Sequence, residues 1–294
     1  MNIITGEKIQ DLCDYYIGTR DDFNFNPFIR QQYKKQINID NIDLYNIKTL
    51  NISRIFCYTH LINGTLYEKY KDILFQVLSD ITTQFSLIFH NSDGQFNELN
   101  LELFNIKNIT NIYSQNINVP IDNSFIINKK LAPVPIGIAN SMWEHGNLSI
   151  WNIILNDANL SINNKPDNKP DNKPNNIYMN FNINTNFIKR QECLNIMLTY
   201  NIPNVPNTDY YNYLKLLSTY KFAICPEGNG IDTHRFWECL YLKTIPICLK
   251  NTVTLYYSKL FPIILLDNWN DLNLDKLNDN FYNSFIWDSI KLEC

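Results

Sequence analysis

The stretch that decides the fold reads Lys221-Phe-Ala-Ile-Cys-Pro-Glu-Gly-Asn-Gly-Ile-Asp-Thr-His-Arg-Phe-Trp-Glu238. Its first five residues predict a strand and residues 232–242 predict a helix, so a glycine-containing loop joins the two. In open α/β sheets, ligands bind beyond the carboxyl ends of the strands. Gly228 and Gly230 permit close backbone approach to a ligand. The helix start adds unpaired N–H groups and a partial positive charge. This segment therefore predicts a diphosphate site on an α/β sheet.

The polar side chains of the segment fit the same ligand. His234 and Arg235 fall in the first helical turn, where they add hydrogen-bond donors. Glu238 lies one turn further along the same helix face and is placed to accept hydrogen bonds from two ribose hydroxyls. Glu227 is placed to touch the sugar or to orient the loop. The competing interpretation is an ordinary glycine loop with a local His234/Glu238 pair.

Working outward, the chain repeats strand–helix–strand units. Apolar runs and spacings predict helices over 66–81, 208–220 and 281–292, and strands over 54–58, 85–89, 109–113, 134–138, 177–181, 245–249 and 262–266. Such βαβ patterns imply parallel sheets with covered faces. Residues 1–50 carry no clear pattern. Residues 164–174 form a tandem Asn-Lys-Pro-Asp repeat, which predicts an exposed, extended loop between two halves.

Composition excludes several classes of protein. The chain has 294 residues, enough for two domains, and its hydrophobic fraction of 45% and net charge of -4 argue against disorder and against nucleic-acid binding. No apolar run reaches the length of a signal peptide core or a membrane span. The seven cysteines include no C-x-x-C pair, so Cys225, Cys239 and Cys248 are predicted to be buried thiols. We expect a reducing, cytoplasmic location, in the host cytoplasm if the AT-rich codon bias reflects a viral gene.

The 226–238 string, followed by Thr244-Ile-Pro-Ile247, resembles the donor-binding motif of exostosin-like glycosyltransferases. Four further segments resemble that family in order, namely Phe89–Asp93, Ser114–Asn116 followed by Pro135–Gly146, Asn180–Arg190, and Leu265–Trp269. The resemblance covers roughly residues 54–270 and is sharpest over 222–248. It implies an α/β fold of the GT-B type, in which two Rossmann-like domains face a central cleft and the second holds the donor.

The resemblance also implies a donor site and a chemistry. No Asp-x-Asp occurs in the sequence, so we expect a metal-independent enzyme without a cofactor, in which cationic side chains and the helix start meet the diphosphate. The implied donor-binding set is Arg190, Glu227, Gly228, Asn229, Gly230, Thr233, His234, Arg235 and Glu238.

An inverting reaction also needs a base near the acceptor hydroxyl. Asp93, at the end of a predicted strand, is the first candidate. Glu144 and His145 are the alternatives, and each of the three is equally explained as a turn or capping residue.

The predicted organisation has four parts. Residues 1–140 form an acceptor-side Rossmann-like domain, 141–176 an interdomain segment with the repeat, 177–270 the nucleotide-sugar-binding domain, and 271–294 a C-terminal helix that packs back on the first domain. The expected partners are a nucleotide sugar, with uridine favoured and guanosine open, and a glycan or glycoprotein acceptor. A non-catalytic GT-B-shaped binding protein is the alternative function. A dinucleotide-dependent oxidoreductase is disfavoured because no Gly-x-Gly-x-x-Gly occurs.

Overall fold

Packing divides the chain into two compact units, each built on a parallel sheet. The computed structural model describes residues 3–25, 35–42, 47–163, 173, 175–285 and 287. The first unit is Gly6–Ile136, and the second unit is Met1–Thr5 with Gly137–Cys294. The α/β class predicted from the sequence is confirmed.

The first unit contains a six-stranded parallel sheet with the order β2-β1-β3-β4-β6-β8. Its strands are β1 (Tyr15–Gly18), β2 (Gln36–Asn38), β3 (Arg54–Tyr58), β4 (Phe85–His90), β6 (Ile109–Ser114) and β8 (Leu131–Pro133). The short strands β5 (Phe96–Asn97) and β7 (Ile117–Asn118) pair separately. The helices are α1 (Gly6–Asp11), α2 (Arg20–Phe25), α3 (Gly64–Asp80) and α4 (Ser124–Ile127).

The central strands of this sheet are buried on both faces, as expected for a parallel sheet covered by helices. Phe56 on β3 and Leu87 on β4 have no solvent exposure. Helix α3 packs one apolar stripe into this core, and its buried residues recur at helical spacing: Tyr67, Tyr70, Leu74, Val77 and Leu78. The predicted helix over 66–81 and the strands over 54–58, 85–89 and 109–113 are confirmed to within two residues.

The second unit contains a four-stranded parallel sheet with the order β12-β11-β10-β9. Its strands are β9 (Asn175–Tyr178), β10 (Tyr220–Ile224), β11 (Ile245–Leu249) and β12 (Ile264–Leu266). Its helices are α5 (Leu148–Asn163), α6 (Phe187–Thr199), α7 (Tyr210–Leu217), α8 (His234–Tyr241), α9 (Thr252–Tyr257) and α10 (Asp279–Asn283). The core brings Phe222, Ile224, Ile245 and Ile247 of the central strands against Met197 of α6.

Three predictions made from the sequence differ in detail from the structure. The strand predicted over 134–138 is instead β8 at Leu131–Pro133, because proline 135 has no N–H to give to a ladder; Ile138 forms a single bridge with Thr5. Of the helix predicted over 281–292, residues 281–283 belong to α10, which ends at Asn283, and residues 286 and 288–294 lie outside the described part of the chain. Helix α5 occupies part of the stretch expected to be an interdomain segment and belongs to the second unit.

A further correction concerns the Lys-Pro repeat, which was expected to be exposed throughout. Residues 164–172 and 174 lie outside the described residues, but Lys173 is buried. Its Nζ donates to the carbonyl oxygen of Leu242 and to Oγ1 of Thr244, both at 2.9 Å. Leu242 is the C-cap of α8, so the ammonium satisfies a carbonyl that the helix leaves unpaired.

Within the described residues, the helices are too short or too polar to cross a bilayer.

Candidate functional site

The glycine loop of the second unit joins the carboxyl end of β10 to the start of α8. Thr233 is the N-cap of α8 with extended backbone angles, and its side chain makes no capping hydrogen bond. The backbone N–H groups of the first helical turn are therefore not satisfied by this cap. Gly228 is buried, and its N–H donates to the carbonyl oxygen of Gly230, which folds the loop back on itself. Asn229 at the loop tip is exposed.

Arg190 on α6 is held against this loop by backbone carbonyls. Its Nε donates to the carbonyl oxygen of Glu227 at 2.9 Å and its Nη1 to that of Asn182 at 2.8 Å. The guanidinium also lies over the ring of Phe181, 5.7 Å from its centre. A Cβ atom on Gly228 would lie 3.1 Å from Arg190 Nη2, so glycine permits this approach. Arg190 pairs with no carboxylate among the described residues, which leaves its charge available to an anion.

A second guanidinium lies close to the first. Burial and the positive charge of Arg235 both lower the pKa of Arg190, which stays protonated because arginine is so basic. Arg235 donates through Nη1 to the carbonyl oxygen of Asn180 and through Nη2 to its side-chain oxygen at 3.2 Å. Its Cζ lies 4.5 Å from the ring centre of Tyr213, and one fifth of the side chain is exposed. These contacts fix Arg190 against the loop and Arg235 in the first turn of α8, which follows the loop.

Glu238 is placed differently from the expectation for a ribose-binding carboxylate. It is 4% exposed, and its oxygens accept hydrogen bonds from the hydroxyls of Tyr210 at 3.0 Å and Tyr213 at 2.5 Å. Arg235 Nε approaches it at 3.6 Å, and Trp151 Nε1 donates to the Tyr210 hydroxyl. A carboxylate with these partners anchors α8 to α7. The expectation that Glu238 meets a ribose is therefore at odds with its burial.

His234 and Glu227 are also oriented by specific partners. His234 Nδ1 lies 2.8 Å from the carbonyl oxygen of Gly137, so the neutral ring carries its proton on Nδ1. The Glu227 carboxylate pairs with Lys189 and accepts a hydrogen bond from Asn251 Nδ2 at 2.9 Å. Glu227 thus connects α6, the glycine loop and the start of α9, which is the loop-orienting role that the sequence left open.

A cavity of about 260 Å³ lies beside the loop, at the carboxyl ends of β10, β11 and β12. Of the predicted donor set, Glu227 and Thr233 line it. Asp232, buried and bonded through both oxygens to Trp237 Nε1 at 2.8 and 3.0 Å, forms part of its wall. The other lining residues are Lys189, Glu192, Cys225, Pro226, Ile231, Phe236, Cys248, Leu249, Lys250, Asn251, Val253, Thr254, Asp267 and Trp269. The mixture of apolar walls and convergent polar groups is typical of a small-molecule site.

The cysteines near the cavity are buried thiols, as the sequence predicted. Cys225 and Cys239 have sulfur atoms 3.7 Å apart, and Cys248 lies on the neighbouring strand. Burial raises the pKa of Cys225 and of Cys239 well above the usual value, so both stay protonated at neutral pH. Across the part of the chain that the structure describes, no group of three or more His, Cys, Asp or Glu side chains is arranged to hold a metal ion.

The three candidate bases lie on exposed turns. Asp93 belongs to the first unit, in the bend that follows β4. That bend is held by Asn116, whose side chain donates to the carbonyl oxygens of Ser92 and Gly94. Glu144 and His145 belong to the second unit, in the 3-10 turn Glu144–Gly146, and the His145 ring meets the edge of Tyr210 with centres 5.2 Å apart.

Sequence reasoning missed the polar residues that directly follow β11 and β12. Lys250 Nζ donates to both carboxylate oxygens of Asp267 at 2.8 and 2.7 Å, and both residues line the cavity. Their position immediately after a buried strand is the signal that could have identified them. A scan against models of known protein families and a search of curated proteins found no match to this chain.

Proposed function

We propose that this protein is a glycosyltransferase of the GT-B type that transfers a sugar from a nucleotide diphosphate sugar, with UDP-sugars favoured, to a glycan or glycoprotein acceptor. In this proposal the first unit binds the acceptor and the second binds the donor. The resemblance of residues 222–248 to the exostosin-like donor motif gives the class of reaction. The contacts around the glycine loop give the chemical reason why the second unit would bind a diphosphate.

The observation that carries the proposal is the pair of arginines at the loop. Arg190 is fixed by backbone carbonyls, which hold its position without neutralising its charge. Arg235 is near enough to lower the pKa of Arg190, so the two charges repel in the absence of an anion. An uncapped helix start and a buried glycine complete an environment that favours a diphosphate.

In the proposed reaction, the two guanidinium groups neutralise the negative charge that grows on the departing nucleoside diphosphate. Because this role needs no metal ion, we expect turnover to persist in EDTA. The cavity at the ends of β10–β12 would take the nucleoside, since it adjoins the loop through Glu227 and Thr233. Glu238 serves in this scheme to fix α8 and Arg235, and does not contact the ribose.

The decisive test compares Arg190→Ala with the parent protein in calorimetric titrations with UDP and with uridine. We expect UDP binding to weaken by about 10- to 100-fold, the value of a hydrogen bond to a charged group, while uridine binding changes less than about twofold. Arg54→Ala is the matched control because Arg54 lies in the first unit and is exposed. Equal affinity of the parent and Arg190→Ala for UDP would contradict the proposal. UDP binding without release of UDP from any UDP-sugar would instead indicate the non-catalytic binding protein.

A further inference from the structure

The sheet of the first unit has a topological switch point that the sequence did not reveal. Strand β1 pairs with β2 on one side and with β3 on the other. The chain therefore leaves β1 in one direction to form β2 and then crosses to the opposite side to form β3, β4, β6 and β8. In parallel sheets of this kind, a crevice opens beyond the carboxyl ends of the two strands at which the order reverses. Here those strands are β1 and β3.

The segments that follow β1 and β3 bring a histidine and an aspartate together at this crevice. Helix α2 begins directly after β1, and Asp22 in its first turn accepts hydrogen bonds from Thr19 N at 2.7 Å and Thr19 Oγ1 at 2.8 Å. His60 lies in the 3-10 turn Thr59–Ile62 that follows β3. Its Nε2 is 3.0 Å from Asp22 Oδ1 and 3.2 Å from Asp22 Oδ2.

A glycine makes this approach possible. A Cβ atom on Gly18, the last residue of β1, would lie 3.0 Å from the ring of Phe23 and 3.2 Å from the ring of Tyr58. The absence of that atom lets α2 fold back close to the end of β3. The two segments then meet, and Asp22 reaches His60.

The dyad has the features of a general base and its orienting group. The Asp22 side chain is 12% exposed and that of His60 is 30% exposed. Burial alone would raise the pKa of Asp22, but hydrogen bonds from His60 and Thr19 outweigh it and lower that pKa, so the carboxylate stays ionised. The His60 ring stacks on Tyr58 with centres 5.6 Å apart, which fixes its plane. Nδ1 of His60 makes no hydrogen bond to any residue that the structure describes, and it is therefore the nitrogen open to a substrate.

We propose that His60, oriented by Asp22, is the general base that deprotonates the acceptor hydroxyl. The proposal rests on the proposed glycosyl transfer. The hydroxyl proton passes to His60 Nδ1 as the oxygen forms a bond to the anomeric carbon. The bond from that carbon to the phosphate oxygen breaks, and its electron pair leaves with the nucleoside diphosphate. Asp22 is a positioning residue that holds the Nε2 proton and stabilises the imidazolium.

This assignment differs from the candidates that the sequence offered. His145 contacts the edge of Tyr210 and has no carboxylate partner within the described residues. Asp93 and Glu144 lie on exposed turns, whereas the Asp22 side chain is 12% exposed and meets His60 through both of its oxygens. The dyad was missed because its members lie 38 residues apart, and one belongs to the N-terminal stretch that has no readable pattern.

The test measures UDP release from UDP-glucose, UDP-galactose, UDP-N-acetylglucosamine and UDP-xylose, with free monosaccharides as acceptors. In His60→Gln and His60→Ala we expect kcat to fall by about 100-fold or more, with KM and UDP affinity within about twofold of the parent. Asp22→Asn keeps a side-chain oxygen that accepts the hydrogen bonds from Thr19, and its kcat should fall by about 10- to 100-fold. Added imidazole should restore turnover to His60→Ala, which a purely structural role of His60 would not allow.

Asp209→Asn is the matched control, since Asp209 is the N-cap of α7 and lies outside the dyad, and this variant should keep full turnover. If the His60 variants fail to fold, the fall in kcat and unchanged KM of Asp22→Asn decide the question. Parent-like turnover in His60→Gln or in Asp22→Asn, with UDP binding intact, would contradict the assignment of His60 as the general base. It would not contradict the proposed function. Failure of the parent protein to bind UDP or to release it from any donor would overturn both.

Discussion

The two units differ in the kind of polar residue that they bury. In the first unit, the described polar residues buried from solvent are all neutral or weakly basic: Gln10, Thr59, His90, Asn100, Ser114, Gln115 and Asn116. In the second unit, the buried set includes three charged residues, Lys173, Asp232 and Glu238. Each charged residue holds helix α8 in place through hydrogen bonds. Lys173 bonds to a carbonyl oxygen at the end of the helix, Asp232 to the indole N–H of Trp237, and Glu238 to tyrosine hydroxyls of α7.

This difference shows how each unit holds in place the segments at the carboxyl ends of its strands. The amides of the first unit fix loop backbones, as Asn116 does for the bend at Asp93, at low electrostatic cost. The second unit fixes α8 with buried charges and so holds Arg235 next to the glycine loop. A buried charge is destabilising unless fully satisfied, so the second unit should be the more sensitive to loss of a single partner.

The largest effect is expected at Glu238. Glu238→Ala removes the acceptor for two tyrosine hydroxyls and the carboxylate partner of the half-buried Arg235. We expect the free energy of unfolding to fall by about 3–5 kcal/mol, as when one member of a buried ion pair is removed. Urea denaturation measures it. The control Glu68→Ala, on the exposed face of α3, should stay within about 0.5 kcal/mol of the parent. A small loss at Glu238 would show that its charge is not a structural element.

The next effect is expected at Lys173, where the sequence alone predicted exposure. Lys173→Ala removes two hydrogen bonds from an ammonium, one of which completes the end of α8. We expect a loss of about 1.5–3 kcal/mol in unfolding free energy. Thermal and urea unfolding should both report it. Lys215→Ala is the control because Lys215 lies exposed on α7. Equal stability of the two variants would mean that the repeat does not anchor the second unit.

A smaller effect is expected at a buried amide of the first unit. Asn100 has no solvent exposure, donates to the carbonyl oxygen of Ile62 at 3.1 Å and accepts from Asn97 N at 2.8 Å. Asn100→Ala should cost about 1–2 kcal/mol, since neutral groups lose less when one partner is removed. Urea unfolding beside the exposed Asn118→Ala variant checks this. A loss of unfolding free energy as large as that of Glu238→Ala would contradict the expected difference between the two units.

The smallest effect is a pH dependence at Asp22. Its pKa is lowered from 3.8 in the native state, with His60 and Thr19 outweighing the effect of burial. The carboxylate therefore stabilises the native state above about pH 4, and this contribution is lost as the pH falls through the lowered native pKa. Urea titrations should show Asp22→Asn less stable than the parent by up to about 1 kcal/mol at pH 7. A difference that grows, instead of shrinking, as the pH falls towards 3 would contradict this account.

The sequence by itself determined the elements whose signals are local. Strand β11 was predicted at its exact bounds, and β10 and α8 to within two residues, because an apolar run and a glycine loop are readable from neighbouring residues. The same local signals predicted that the loop follows a strand and opens a helix, which is where a phosphate-binding site belongs.

Only the tertiary structure decided what the side chains of these elements do. Glu238 is turned into the protein by tyrosines 28 and 25 residues earlier, on a helix whose packing the sequence does not state. Lys173 is buried by carbonyl and hydroxyl groups 69 and 71 residues later, although its repeat reads as a solvated loop. His60 meets Asp22 because β1 and β3 are neighbours in the sheet. Local periodicity fixes which face of an element is apolar, but the partner of a polar group depends on the order of strands, which long-range packing selects.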